Sequence, residues 1–273
     1  MNPLRLNSRF RISALCVGLC VALVALVLHA YTTQAAFVDG GKGPQLLIGL
    51  DDDRQDNPAI QAGAAANQSL NRTDVLIGGK GNDVIFGLNG NDVIDGGQGQ
   101  DIILGGPDGG PAPGGPPNSD IMFGGQGDDV NLWAPGDGSE AFIGGPGLDA
   151  LVFGATDREA VPDPQTGVRL PTLLSGVEGF PQGIPTADVS GLPQHCSVER
   201  SPSPAYDYLV RFLGPAGNII VTVRVKGVEQ FFCPSQLGGG IAFADLTLAS
   251  PTLVDVSQNE VETLNPLVGA MIR

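Results

Sequence analysis

Between residues 74 and 152 the apolar positions come in short groups at a fixed interval. VLI (75–77), VIF (84–86), VID (93–95) and IIL (102–104) each follow an aspartate, and those aspartates, Asp74, Asp83, Asp92 and Asp101, stand nine residues apart. The spacing lapses at a Gly/Pro-rich insertion, GGPDGGPAPGGPPNS (105–119), then resumes with IMF after Asp120 and VNL after Asp129. After a two-residue insertion, AFI follows Glu140 and ALV follows Asp149. Self-similarity at a constant period predicts a stacked repeat, here of eight turns, each contributing one three-residue strand. Strands this short cannot fold alone, but stacking at strand spacing joins their central residues into one core. Leu76, Ile85, Ile94, Ile103, Met122, Phe142 and Leu151 are the expected core ladder. Asn131 breaks it, which predicts a locally weaker turn or an internal hydrogen bond. The apolar residues flanking the ladder are expected to pack against a second domain or a neighbouring chain.

Outside this segment the pattern changes. GGKGPQLLIG (40–49) fits the repeat except that Gln45 stands where the acid belongs, which suggests a capping turn; the stretch from Asp51 to Leu70 has no apolar period and reads as a linker. Beyond Gly154, Pro-rich connections separate β-branched or alternating stretches at 208–213, 219–225, 241–248 and 252–256. They predict a second, all-β domain over 155–273. The fold class expected is therefore all-β: a parallel roll of nonapeptide repeats over 74–154 followed by a β-rich domain, with a degenerate turn and linker at 37–73.

At the N-terminus, Arg5, Arg9 and Arg11 precede an uncharged run from Ile12 to Leu28, with small residues at Ala35 and Ala36. This is the layout of a secretory signal peptide over 1–36. An uncleaved membrane anchor is the alternative, since the run nearly spans a bilayer. The whole chain has 14 basic and 29 acidic groups, a formal charge of −15, and loss of the leader removes three arginines and no carboxylate, leaving −18. So acidic a chain is a poor partner for nucleic acid and a good one for cations. In an exported chain, Cys196 and Cys233 are expected to form one disulfide.

The acids close glycine-rich loops. Glycines at the first, second and fourth positions allow backbone angles with φ > 0, so that the chain reverses tightly and exposes carbonyl oxygens beside the aspartate at position six. A hard cation wants about six to eight oxygen ligands. One loop cannot supply them, but two loops stacked on the same side can. Stacked carboxylates about 5 Å apart repel by roughly 1 kcal/mol in water and about 3 at intermediate dielectric, so an ion between them couples binding to folding.

The loops GGKGND (78–83), GGQGQD (96–101), GGQGDD (124–129) and GGPGLD (144–149) resemble the haemolysin-type calcium-binding repeat of RTX proteins. The resemblance implies a right-handed parallel β-roll, two turns per 18 residues, with Ca²⁺ held between same-side loops. The metal-binding residues it implies are Gly78, Gly79, Gly81 and Asp83; Gly96, Gly97, Gly99 and Asp101; Gly124, Gly125, Gly127 and Asp129; Gly144, Gly145, Gly147 and Asp149; and Asp92 in the second row. Successive loops fall on alternate sides, so the acids divide into two rows. Asp83, Asp101, Asp129 and Asp149 form an intact row with about three Ca²⁺ ions in its intervals. Asp74, Asp92, Asp120 and Glu140 form an eroded one, in which missing glycines misplace carbonyls and the insertion separates loops that ought to stack.

Chemistry beyond cation binding finds little support. HExxH and GxSxG are absent, the two histidines are His29 and His195, and Glu178, Glu199 and Asp207 are carboxylates of the kind any acidic chain offers. The expected function is an exported or cell-surface calcium-binding protein that is not an enzyme, structural or adhesive, leaving by the general secretory route. Its expected partners are calcium ions and a surface polysaccharide or another surface protein. The alternative is a polysaccharide-active enzyme or glycan-binding module in the C-terminal region.

Overall fold

The computed structural model describes residues 37–49, 74–88, 90–106, 119–159, 161, 169–189, 195–214, 216–236 and 239–272. The leader over 1–36, the linker over 50–73 and the middle of the Gly/Pro-rich insertion lie outside them. Residues 36–273 form one compact unit, and among the described residues no helix is long and apolar enough to cross a membrane.

Ten short strands alternate between two parallel stacks. The first takes β1 (Phe37–Asp39), β3 (Val75–Lys80), β5 (Val93–Gln98), β7 (Ile121–Gln126) and β9 (Ala141–Ile143). The second takes β2 (Leu46–Ile48), β4 (Val84–Phe86), β6 (Ile102–Leu104), β8 (Val130–Trp133) and β10 (Ala150–Phe153). The register advances by one double turn at each step: Leu76 pairs with Ile94, Ile94 with Met122, Met122 with Phe142, and on the other side Ile85 with Ile103. The expected ladder is the core, with all seven of its residues fully buried. GGKGPQLLIG is the first turn, since β1 and β2 pair with β3 and β4. Asn131, at the ladder position of its turn, donates from Nδ2 to the Ile103 carbonyl at 3.3 Å and to Met122 Sδ at 3.1 Å, the internal hydrogen bond its position calls for.

The insertion after Leu104 does not part the stack. Val93 pairs with Ile121 and Ile102 with Val130 across it, so the strands on either side keep their register; added loop length costs little entropy.

The C-terminal region continues the roll instead of forming a separate domain. After the two-residue strands β11 (Ala155–Thr156), β12 (Leu173–Leu174), β13 (Ile184–Pro185) and β14 (Ala187–Asp188) come β15 (His195–Arg200), β16 (Tyr208–Leu213), β17 (Ile219–Lys226), β18 (Gln230–Pro234), β19 (Ile241–Asp245) and β20 (Val254–Val256). Strand β17 adds in parallel to β9 and β18 in parallel to β10, while β16, β15, β19 and β20 extend both sheets antiparallel. The boundary expected at 154 thus lies inside two continuous sheets, whose strand direction reverses one strand further out, at β16 and β19. The physical reason is that β9 and β10 present unpaired backbone edges, which the next apolar strands satisfy. Trp133, Phe153, Phe212 and Phe231 fill the space between the sheets at this joint, with ring centroids 4.9 to 5.9 Å apart.

Two helices close the chain: α1 (Gln258–Leu264), opened by a capping box between Ser257 and Glu260, and α2 (Pro266–Met271), capped by Asn265. Their Val261, Val268 and Met271, with Phe180, Ile184 and Ala187, cover the outer face of the second stack and bury its Val84, Phe86, Ile102, Leu104, Val130 and Leu132, while Ile85, Ile103 and Leu151 are buried on the inner face. The outer face of the first stack stays open at Ile121 and Phe123.

Cys196 and Cys233, the expected disulfide pair, stand in this structure as free, buried thiols. They belong to different sheets and meet in the core, where burial, first, and then a hydrogen bond with Cys196 push the Cys233 thiol well above its ordinary range. A thiol so held carries almost no nucleophilic thiolate. Since both side chains are also closed off from solvent, iodoacetamide is expected to leave both cysteines unlabelled in the folded protein and to label both in denaturant without prior reduction. Recovery of a cross-linked 196–233 peptide from non-reduced protein overturns this.

Candidate metal centre

Seven aspartates of the repeat, together with Glu140, are at most 1 % exposed, a degree of burial no solvated charge run shows. Their placement follows from the strands: a three-residue strand puts its central side chain inward, and the acid just before it turns back under its own glycine loop.

In the intact row each carboxylate joins two loops. The N–H of Gln45 donates to Asp83 Oδ1 at 2.7 Å, that of Asp83 to Asp101 Oδ1 at 2.8 Å, that of Asp101 to Asp129 Oδ1 at 2.8 Å and that of Asp129 to Asp149 Oδ1 at 2.9 Å. The other oxygen of each, Oδ2, is buried without a hydrogen-bond partner in Asp83, Asp101, Asp129 and Asp149. Each Oδ2 meets a carbonyl of the following loop. Around the point where a Cβ would stand on Gly78 lie Gly96 O at 2.3 Å and Asp83 Oδ2 at 2.6 Å; on Gly96, Gly124 O and Asp101 Oδ2, both at 2.5 Å; on Gly124, Asp129 Oδ2 at 2.5 Å and Gly144 O at 2.8 Å.

The glycines serve two different needs. Positions two and four have positive φ, as at Gly79 (96°) and Gly81 (112°). Position one does not, contrary to expectation; there glycine is required because a side chain would fill the space in which the carboxylate and the neighbouring carbonyl converge. Crowding holds at the other positions too, since a Cβ on Gly97 would stand 2.4 Å from Gly79 O and one on Gly99 1.9 Å from Gly81 O.

Burial dominates the electrostatics. It pushes Asp83 up to about 6, Asp101 and Asp149 to about 7 and Asp129 to about 8, against the lowering effect of the backbone N–H each accepts; neighbouring carboxylates add to the rise at Asp101, Asp129 and Asp149. Among the described residues no three His, Cys, Asp or Glu side chains gather closely enough to hold a metal by themselves. What converges instead is one carboxylate oxygen per loop with backbone carbonyls, the all-oxygen set suited to Ca²⁺. A bound ion would supply there the positive charge that the paired carboxylates lack.

The family model for the RTX calcium-binding nonapeptide repeat matches in four copies, over residues 70–103 and 118–130. The chain carries RTX calcium-binding repeats. Among curated proteins no relative matches it significantly. The match ends at 130, whereas the roll geometry runs on through Asp149.

The second RTX row is better ordered than its sequence suggests. Asp74 and Asp92 donate their N–H groups to Asp92 and Asp120 Oδ1 at 2.8 and 2.7 Å, so these loops stack despite the insertion. Its erosion shows in the loop backbone at Leu88, which with φ 71° is the one non-glycine residue with positive φ among those described and stands where the intact loops have their second glycine. Near Gly105 a Cβ would meet Asp120 Oδ2 at 2.2 Å and Glu140 Oε1 at 2.7 Å, and burial raises Asp120 to about 7. Asp137, buried with Oδ2 accepting from Ala134 N–H at 2.7 Å, is also pushed well up, by burial first and then by Asp120.

Sequence reasoning missed Glu229. It accepts the Asp149 N–H on Oε2 at 2.8 Å and extends the intact row beyond the repeats. The available signal was GVEQFFC (227–233), a glycine and an acid before a short strand with Phe231 at the ladder position, but 80 residues beyond Asp149.

Proposed function

We propose that this calcium-binding β-roll protein acts outside the cell as a non-catalytic structural or adhesive element, its fold held by Ca²⁺ along the intact row. The observation that carries the reading is the regular series of buried, unpartnered Oδ2 atoms at Asp83, Asp101, Asp129 and Asp149, a cost that folding offsets when a cation completes each interval. Export rests on the basic flank and the apolar run of residues 12–28. A surface polysaccharide or a surface protein is the partner class that suits such an element. That strands β15 to β20 extend the two sheets of the roll favours this reading over a roll that merely assists a separate catalytic domain.

Calcium titration of the chelated protein, followed by native mass spectrometry, tests the core of this reading. Millimolar Ca²⁺ is expected to raise β-sheet circular dichroism and thermal stability with several ions bound, and Mg²⁺, which demands octahedral geometry and keeps its water, to do little. An unchanged spectrum with no metal by elemental analysis sinks it. Glycan arrays run with Ca²⁺ and assays on polysaccharides then separate adhesion from hydrolysis.

A further inference from the structure

We infer that the intact row holds one divalent cation more than its four repeat loops provide for, at the joint between the loop 144–149 and Gly227–Glu229; this rests on the calcium reading of the row. Three features of the joint reproduce the repeat intervals with residues that are no part of a repeat. Around the point where a Cβ on Gly144 would stand lie Gly227 O at 2.2 Å and Asp149 Oδ2 at 2.3 Å, the same pair of groups that the Gly78, Gly96 and Gly124 positions bring together. Glu229 Oε2 accepts the N–H of Asp149 at 2.8 Å, as each aspartate does for the one before it, and Ala150 pairs with Gln230, so Glu229 occupies the next rung. Asp149 is fully buried and its Oδ2 has no hydrogen-bond partner. A buried carboxylate oxygen aimed at a backbone carbonyl is repulsive unless a proton or a cation lies between them.

The joint also explains a glutamate in an aspartate's place. The connection from β17 to β18 has only Gly227, Val228 and Glu229 where a repeat loop has six residues. A shorter loop turns with fewer carbonyls at the row, and the extra methylene lets the carboxylate span the gap. An ion bound here draws ligands from both sides of an 80-residue separation, so its binding requires the β17–β18 connection to be docked. Calcium thereby fastens the C-terminal strands to the roll.

The test uses the full chain. Glu229→Gln keeps an acceptor for the Asp149 N–H while removing the charge, and Glu178→Gln removes an exposed charge elsewhere. By native mass spectrometry at saturating Ca²⁺, Glu229→Gln is expected to hold one ion fewer than wild type and Glu178→Gln the same number. Hydrogen exchange on wild type provides a readout independent of any variant: amides of 227–230 gain protection on calcium addition together with those of 144–150. Equal stoichiometry in Glu229→Gln and wild type, or exchange at 227–230 indifferent to calcium while 144–150 responds, overturns the inference and leaves the calcium row standing. A wild-type chain that binds no calcium removes both.

Discussion

Without calcium, the stability of the roll is expected to fall as pH rises from about 4 to 8, and with saturating calcium to rise over the same range. The sign follows from the carboxylates. Burial raises Asp101 and Asp120 to about 7 and Asp129 to about 8 in the folded chain, against an ordinary value of 3.8. The folded state therefore binds protons that the unfolded state has already lost, and the unfolding free energy declines across the interval between the two values. At about 1.4 kcal/mol per pH unit, these three groups alone set a penalty on the order of 10 kcal/mol above pH 8, comparable with the whole stability of a typical domain, about 5–15 kcal/mol. An ion-free roll is thus expected to fold at pH 5 and to lose cooperative structure near pH 8. Calcium binds only the deprotonated rows, so its contribution grows as the same groups ionise. Thermal melts with chelator and with calcium at pH 5, 6, 7 and 8 make the comparison; parallel slopes in the two series would refute it.

Replacing Gly127 with alanine is expected to be the most damaging small change in the molecule. A Cβ there would stand 1.7 Å from Gly99 O, on a residue whose φ is 134°, so the strain of a left-handed backbone adds to a collision with a carbonyl of the intact row. Relief requires the two loops to part, which pulls apart the oxygens between which an ion would sit. Gly217→Ala is the matched control: its φ is 75°, and nothing lies within 4 Å of its Cβ position. We expect Gly127→Ala to cost about 3 kcal/mol or more and to lower calcium binding at least tenfold, and Gly217→Ala to cost about 1 kcal/mol with binding unchanged. Calorimetric titration and denaturant melts of both variants decide it, and equal effects would show that close stacking of the loops is unimportant.

The roll was legible in the sequence because every level of its construction repeats. The period of nine places acid, strand and loop together, and the ladder from Leu76 to Leu151 follows without further information. The C-terminal half was legible only as strands. The stretches at 208–213 and 219–225 gave their positions, but nothing in an alternating pattern says which edge a strand will join, and the pairing of Arg224 with Ala141 bridges 83 residues. The helices at 258–271 had local signals, Ser257 with Glu260 and Asn265 before Pro266, that the β-rich reading passed over. The pairing of Cys196 with Cys233 was inferred from compartment and parity, and the structure brings the two thiols together in the core.

The reversal of strand direction at β16 and β19 has a consequence for how the parallel stack stops. A purely parallel coil is translationally symmetric: its last turn offers the same edge as every turn before it, and a second copy could continue the stack without limit. Here the hairpins β16–β17 and β18–β19 turn the final strands against the direction of the coil, and the outermost strands, β15 and the three-residue β20, carry Glu199, Arg200 and Asp255. Such edges are poor templates for another parallel turn. The C-terminal strands thus act as a terminator at this edge of the solenoid, closing it to another parallel turn.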